Sequence, residues 1–531
     1  MDRQCAVSLA LTFCVAACGT AASPGGGTGG GAQSAGGNST AGVPAGEGGS
    51  LTGGSGNGSA GKTSAGAPGA AGEANTDPGP PLTGKPDLVT SGPNAYWQVG
   101  GTVTEVTSGD ANVTVDSTKP AQTFTGFGGA INERGWKYLS NLSESDRAKA
   151  LKLLFSANDG AKFAYARIPI GANDYAIDRY TLDETPGDTQ MAKFSIDRDR
   201  MYLIPYIKAA LAVNPDISFW ASPWTPPTWM KDGGVNGQFD KGTMKEDDTT
   251  LAAYALYLAR FVEEYAKEGI NIRVLHPQNE PGYSQFYPSC GWSQQAMTKF
   301  IGSFLGPTFA SRKLGTDIFM GTMSNANDAS DPALLNAVMS DATAKGFIRG
   351  AGFQWGMIDA LNGGKLQVDK RLPIWQTEHV CGKVGQAAPA PNDHDYGKDS
   401  WGHIRDWIKA GVNAYSAWNM VLDTGGLSIE SKTTGDREWA QNALLTVDAA
   451  TGKLNATPAY YVFRHVSQYV DAGASVLATT GGDALAFKNP DGSITTIIFN
   501  SEAAKTLTVA VGGRKLQFQI PGDGWATLIA K

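Results

Sequence analysis

Residues 271–281 read NIRVLHPQNEP. The first half is a β-branched, apolar run of the kind that forms a buried strand, and the second half ends in a glutamate between an asparagine and a proline. A carboxylate at the mouth of a buried strand is costly unless it is paired, hydrated or used. Working outward, the same kind of run recurs along the chain, at 124–130 (FTGFGGA), 163–171 (FAYARIPIG), 217–223 (ISFWASP), 272–280 (IRVLHPQNE), 318–323 (IFMGTM), 350–356 (GAGFQWG), 373–380 (PIWQTEHV) and 414–423 (AYSAWNMVLD). Between most of them lie helical patterns such as 251–269 and 399–411, each closed by a glycine suited to a C-cap. Eight alternating βα units predict a (β/α)8 TIM barrel over 123–464.

The flanks carry a different period. Residues 97–118 and 466–531 alternate every second position, with an NPDG turn at 489–492. They predict a β-sandwich built from both chain ends, 95–122 supplying its first strands and 465–531 the remainder. Upstream, residues 2–18 (DRQCAVSLALTFCVAAC) form a short apolar run behind one arginine, too short to span a bilayer. This is an export signal, and its VAAC ending resembles a bacterial lipobox, which makes Cys18 the expected lipidation site. An ordinary signal peptide is the alternative. Residues 19–85 are rich in Gly, Ala, Ser and Thr, with 22 glycines between 19 and 80 and no aromatic residue there, so they read as a flexible linker. The expected protein is exported, anchored to a bacterial membrane only through that lipid or else secreted.

A net charge of −7 and the absence of basic runs argue against nucleic acid as a partner. The five histidines show neither H-x-H nor H-E-x-x-H spacing, so a metallohydrolase is disfavoured. Barrels of this type place chemistry at the C-terminal strand ends. There, Glu280 ends the fourth run and Glu378 the seventh, and these strands face each other across the mouth. Two carboxylates in one pocket suit glycosidic bond cleavage, one protonated to serve the leaving oxygen and one ionised to attack or to activate water.

The blocks GFGGAINERGW, ARIPIGANDY, SPWTPPTWMK, PQNEP, WQTEHV, AYSAWNMVLD and PAYYVFRHVSQYVDAGA, in this order, resemble glycoside hydrolase family 30, the glucosylceramidase-like enzymes. The resemblance implies a retaining mechanism without metal or organic cofactor, with Glu280 as acid/base and Glu378 as nucleophile. It implies that Asn279 holds the sugar 2-hydroxyl, that Arg167 keeps Glu378 ionised, that Asp174 binds sugar hydroxyls, and that Trp224 and Trp418 wall the subsite. Where the family has a histidine and a tyrosine on the sixth strand, this chain has Gln354 and Trp355, which are expected among the substrate-binding residues, and the bond orienting Glu378 is expected from elsewhere. Glu133 either binds substrate or closes the barrel mouth. Cys290 and Cys381, the two cysteines of the exported part, are expected to form a disulfide between the catalytic loops.

The expected substrate is a β-linked oligosaccharide, polysaccharide or glycolipid, with a glucosylceramidase-like or β-1,6-glucanase-like specificity and a monomeric enzyme. A β-1,6-galactanase or xylanase of the same clan is the alternative enzyme. A non-catalytic carbohydrate-binding surface lipoprotein is the alternative outside enzymes.

Overall fold

In the computed structural model the described residues are 87–383, 385–430 and 439–531. The expected export signal with Cys18 and the expected linker lie outside them. The eight expected strands are all present: β1 Gly126–Ala130, β2 Tyr165–Ile170, β3 Ser218–Pro223, β4 Ile272–Leu275, β5 Asp317–Met323, β6 Ile348–Gln354, β7 Ile374–Glu378 and β8 Ala414–Asn419. They pair in parallel, each with its chain neighbour, and β8 closes on β1 through Ala414 opposite Gly126 and Tyr415 opposite Phe127. Both faces of such a sheet are covered, which is why the strands read as continuous apolar runs.

The barrel is plugged below its mouth. Trp220 from β3, Val274 from β4, Phe319 from β5, Trp375 from β7 and Ala414 from β8 form one buried cluster, with Tyr165 from β2 packed against it. Side chains this large fill the interior and leave chemistry to the C-terminal rim. The small residues of β1 answer to the same crowding. A Cβ on Gly128 would stand 2.2 Å from the Tyr165 carbonyl oxygen, and one on Gly129 would stand 2.4 Å from Met420 Cγ.

Two strand ends differ from the sequence expectation. The fourth run was expected to remain a strand through Glu280, but β4 stops at Leu275. Pro277 has no N–H to offer a ladder, and the chain instead laces between its neighbours. His276 N–H donates to Ala221 O, Asn279 N–H to Pro223 O and Glu280 N–H to Thr322 O. The eighth run divides after Asn419, and Val421–Asp423 joins a small sheet with Leu445–Val447 and Leu454–Ala456.

The second domain is a ten-stranded sheet assembled from both chain ends. Its order runs Ala95–Val99, Leu88–Gly92, Gly524–Ala530, Ile494–Asn500, Asp483–Lys488, Ala474–Thr480, Val113–Phe124, Lys505–Val511, Arg514–Ile520, Thr104–Glu105. The strand at 88–92 begins earlier than the alternating pattern that starts at Trp97. Its two halves share a core that includes Val113, Leu477, Ile498, Val509, Phe518 and Leu528. The strand ending at Phe124 runs straight into β1, and Phe124 packs on Phe127 and Phe487, so the two domains share aromatic contacts at the crossing.

Candidate active site

Arg167 on β2 organises the mouth of the barrel. Its side chain is buried, and its planar donor set reaches four other elements. Nε and Nη2 donate to Ser222 Oγ on β3 at 3.1 and 3.0 Å. Nη2 also donates to Asn279 Oδ1 at 2.6 Å and to Thr322 Oγ1 on β5 at 3.2 Å. Nη1 forms an ion pair with Glu378 Oε2 at the end of β7. The guanidinium carbon lies 4.3 Å from the ring centre of Trp224 and 5.4 Å from that of Trp418. These two indoles stack on each other at 5.6 Å, and Trp418 Nε1 donates to Gln441 Oε1 at 2.9 Å. Burial works against the charge of Arg167, while Glu378, Asp174 and Glu280 favour it.

Glu280 follows the lacing segment with φ of +51°, a left-handed conformation rare outside glycine that costs about 1 kcal/mol. Such strain persists only where surroundings impose it, and here the N–H bond to Thr322 O fixes one side of the residue. Tyr287 Oη donates to Glu280 Oε2 at 2.5 Å. Tyr287 belongs to a loop that leans on the hairpin Lys231–Val235/Asp240–Met244, through bridges of Asp240 with Pro288 and of Thr243 with Gly291. Beneath them, Lys231 Nζ donates to Phe239 O at 2.9 Å, Ser289 O at 2.5 Å and Thr225 Oγ1 at 3.0 Å. Burial lowers the pKa of this lysine to about 8. The hairpin is also held by the Arg179–Asp240 ion pair.

The two carboxyl groups therefore differ in their partners. Burial raises both above the usual carboxylate range, Glu378 to about 7, with repulsion from Glu280 adding to the latter. Arg167 opposes that rise at both sites, but it touches only Glu378 directly, whereas Glu280 is held by neutral side chains, Tyr287 foremost with Ser324 and Gln285 beside it. In a coupled pair the first proton lost belongs to the site with the stronger cationic partner. The guanidinium contact favours the ionised form of Glu378, and the contacts at Glu280 come from neutral groups.

The bond orienting Glu378 was expected from elsewhere than the sixth strand, but Gln354, at the end of β6, supplies it. Its Nε2 lies 3.2 Å from Glu378 Oε2, 3.0 Å from Asn279 Oδ1 and 3.2 Å from Thr322 Oγ1. Asp174 is buried close to Glu378, Glu280 and Arg167, and burial raises its pKa well above normal. Its Oδ1 has no hydrogen-bond partner among the described residues, so it remains an acceptor or, protonated, a donor for a polar ligand.

Two expectations are corrected, a substrate contact for Glu133 and the Cys290–Cys381 disulfide, and Trp355 stands apart from the cluster's hydrogen bonds. Glu133 does not join the cluster: it opens the helix Glu133–Ser140, forms an ion pair with Arg198 and accepts the Ile177 N–H at 2.8 Å, so its carboxylate is fully used in bracing a loop. Trp355 heads the short turn Trp355–Met357, half-buried, and makes none of the cluster's hydrogen bonds among the described residues. Cys290 and Cys381 are not joined in a disulfide. They sit in different packing clusters, Cys290 in the main core and Cys381 among Tyr175, Trp224, Trp418 and Trp439. Burial pushes the Cys290 thiol up to about 12, which keeps it protonated.

Tyr287 and Thr322 were missed by sequence reading. Thr322 did leave a signal, as the one hydroxyl in the apolar run IFMGTM near a strand's C-terminal end. Tyr287 had none beyond its place in an aromatic-rich loop after Glu280.

Residues 124–470 match the glycosyl hydrolase family 30 TIM-barrel domain, and residues 467–528 match the family's β-sandwich domain. The chain is 27% identical over 411 residues to the lysosomal acid glucosylceramidase of Mus musculus, covering 73% of this chain and 77% of that protein. It is 25% identical over 452 residues to the endo-1,6-β-D-glucanase neg1 of Aspergillus fumigatus, covering 78% and 87%. Among solved structures, SrfJ from Salmonella typhimurium shares the fold with a TM-score of 0.73 at 23% identity, over 84% of this chain and 99% of that one. An endo-β1,6-glucanase shares it with a TM-score of 0.72 at 24% identity, over 84% and 100%. The barrel that carries the paired glutamates is thus matched along its length and the sheet through its C-terminal strands, and the chain belongs to glycosyl hydrolase family 30, a glycoside hydrolase acting on a β-linked glycoside or glycolipid.

Proposed function

We propose that this protein is a retaining β-glycosidase in which Glu378 is the nucleophile and Glu280 the acid/base. The observation that carries the reading is the unlike partnering of two buried carboxyl groups, Glu378 on a guanidinium and Glu280 on a phenol. Glu378 Oε2 is occupied by Arg167 and Gln354, which leaves Oε1 as the attacking oxygen. Oε1 forms a bond to the anomeric carbon as the glycosidic C–O bond breaks, and the Glu280 proton passes to the departing oxygen. Water then gives its proton back to Glu280 and displaces Glu378, so the configuration is retained. Asn279 holds the hydroxyl on C2, Asp174 takes other ring hydroxyls, and the Trp224–Trp418 pair offers an apolar wall to sugar C–H faces.

The sugar is glucose in β-linkage, as a glucoside, glucolipid or β-1,6-glucan. Support comes from the relatives, whose names, glucosylceramidase and 1,6-β-D-glucanase, share the glucosyl unit. The test is hydrolysis of aryl β-glycosides and of β-linked glucans, galactans and xylans by the wild type and by the Glu378→Gln and Glu280→Gln variants. Glu378→Gln should abolish turnover. Glu280→Gln should lose about 10²–10⁴-fold, least with an activated aryl leaving group, and azide should restore that loss and yield the β-glycosyl azide. Inversion at the anomeric centre, or full activity in either variant, would sink the assignment.

We further propose export with a lipid on Cys18 and action as a monomer. The VAAC motif and the Gly-rich stretch behind it support the anchor. Labelled palmitate should enter the wild type and not the Cys18→Ala variant. Equal labelling, or none in either, would replace the anchor with an ordinary secretion signal.

A further inference from the structure

The Asn279 side-chain oxygen receives more hydrogen bonds than its two lone pairs require. Arg167 Nη2 reaches it at 2.6 Å, Thr322 Oγ1 at 2.9 Å and Gln354 Nε2 at 3.0 Å. Rotating the amide by half a turn would set its NH2 group against those donors, so one orientation is fixed by chemistry. The Asn279 NH2 therefore faces away from Arg167. Gln354 is fixed by the same logic, since its NH2 group meets the two acceptor oxygens Asn279 Oδ1 and Glu378 Oε2.

Thr322 joins these fixed groups. It is fully buried, and its β-branched side chain is stiff at χ1. Its hydroxyl donates to Asn279 and accepts from Arg167 and Gln354, both at 3.2 Å, which exhausts the one donor and two acceptor sites of a hydroxyl. Its backbone works on the same segment, accepting the Glu280 N–H and donating to Gln278 O, both at 2.8 Å. A single residue thus brackets Asn279 and Glu280 by side chain and main chain.

We propose that Thr322 is a positioning residue whose hydroxyl fixes the Asn279 amide so that its NH2 meets the sugar hydroxyl adjacent to the reacting carbon. This rests on the glycosidase reading above. A buried threonine that merely satisfies its neighbours would stabilise the fold without sensing the substrate, and the two roles part experimentally. The measurement is kcat and KM for 4-nitrophenyl β-glucoside and for its 2-deoxy analogue, with wild type, Thr322→Val and Thr322→Ser.

With the glucoside, Thr322→Val should lose on the order of tenfold to a hundredfold in kcat/KM, mainly in kcat, because the contact to the 2-hydroxyl strengthens in the transition state. With the 2-deoxy substrate the loss should stay under about threefold, since the hydroxyl that Asn279 would hold is absent. Thr322→Ser, which keeps the hydroxyl, should recover most of the glucoside activity. Equal losses on the two substrates, or no loss in Thr322→Val, would overturn the positioning role and leave the glycosidase reading standing. A wild type inactive on both would overturn the two together.

Discussion

Catalytic assignment at the residue scale depends on partners more than on burial. Glu280, Glu378 and Asp174 are all buried, and burial raises all three. What separates Glu280 from Glu378 is a set of neutral donors, Tyr287 foremost, against a guanidinium. Tyr287 donates to Glu280 and so favours its ionised form, which lowers the pKa that burial has raised. Removing that donor in Tyr287→Phe should raise the pKa of Glu280 further. On the proposed assignment Glu280 acts as an acid while protonated, so the alkaline limb of kcat/KM against pH should move to higher pH. The acid limb, set by Glu378, should stay in place. An unmoved alkaline limb, or a shift to lower pH, would remove Tyr287 from the tuning of the acid.

At the element scale, the helix Pro458–Ser467 ties the barrel to both ends of the chain through one imidazole. His465 Nε2 lies 2.8 Å from Ser91 Oγ and Nδ1 lies 2.8 Å from Thr527 Oγ1, and Ser91 and Thr527 stand on the paired strands Leu88–Gly92 and Gly524–Ala530. Burial lowers the pKa of His465 to about 3. An unfolded chain binds a proton at this residue below about pH 6.5, whereas the folded protein does not until about pH 3. Its contribution to stability is therefore complete above that range and declines as pH falls through it, by up to about 1.4 kcal/mol per unit. Buried acids such as Asp199 and Asp331, each raised to about 7, act in the opposite direction, so the total curve mixes both signs. The difference between wild type and His465→Gln isolates the histidine. In urea unfolding at pH 7.5, 6.0 and 5.0, the wild-type advantage should shrink with each step down. A constant advantage would mean that His465 takes up its proton in the folded state as readily as in the unfolded one.

At the scale of the whole molecule, the apolar runs determined the barrel, because a parallel strand buried on both faces must be apolar throughout and the βα spacing sets its neighbours. All eight strands were legible on that basis, and so was the second sheet, through its two-residue period. Glu280, Asn279 and Glu378 were legible because each stands at or just beyond the C-terminal end of a strand, where the fold sends chemistry, whereas Arg167, the third residue of β2, was legible only through the family resemblance. Beyond strand ends, position in the chain says little about direction. Glu133 opens the helix after β1 and Asp174 lies in the loop after β2, yet one is spent on Arg198 and the other stays beside Glu378, a division decided by which arginine the packing brings close. Cys290 and Cys381 lie on loops at one face, but their side chains enter separate clusters. Tyr287 reaches Glu280 only because a hairpin from another βα unit supports its loop. The sequence by itself determined which strands form and which residues end them, since those follow from local apolarity and period. Only the tertiary structure decided which polar atoms meet, because Arg167, Thr322 and Gln354 come from separate strands and Asn279 from the segment after β4, and they converge only when the barrel closes.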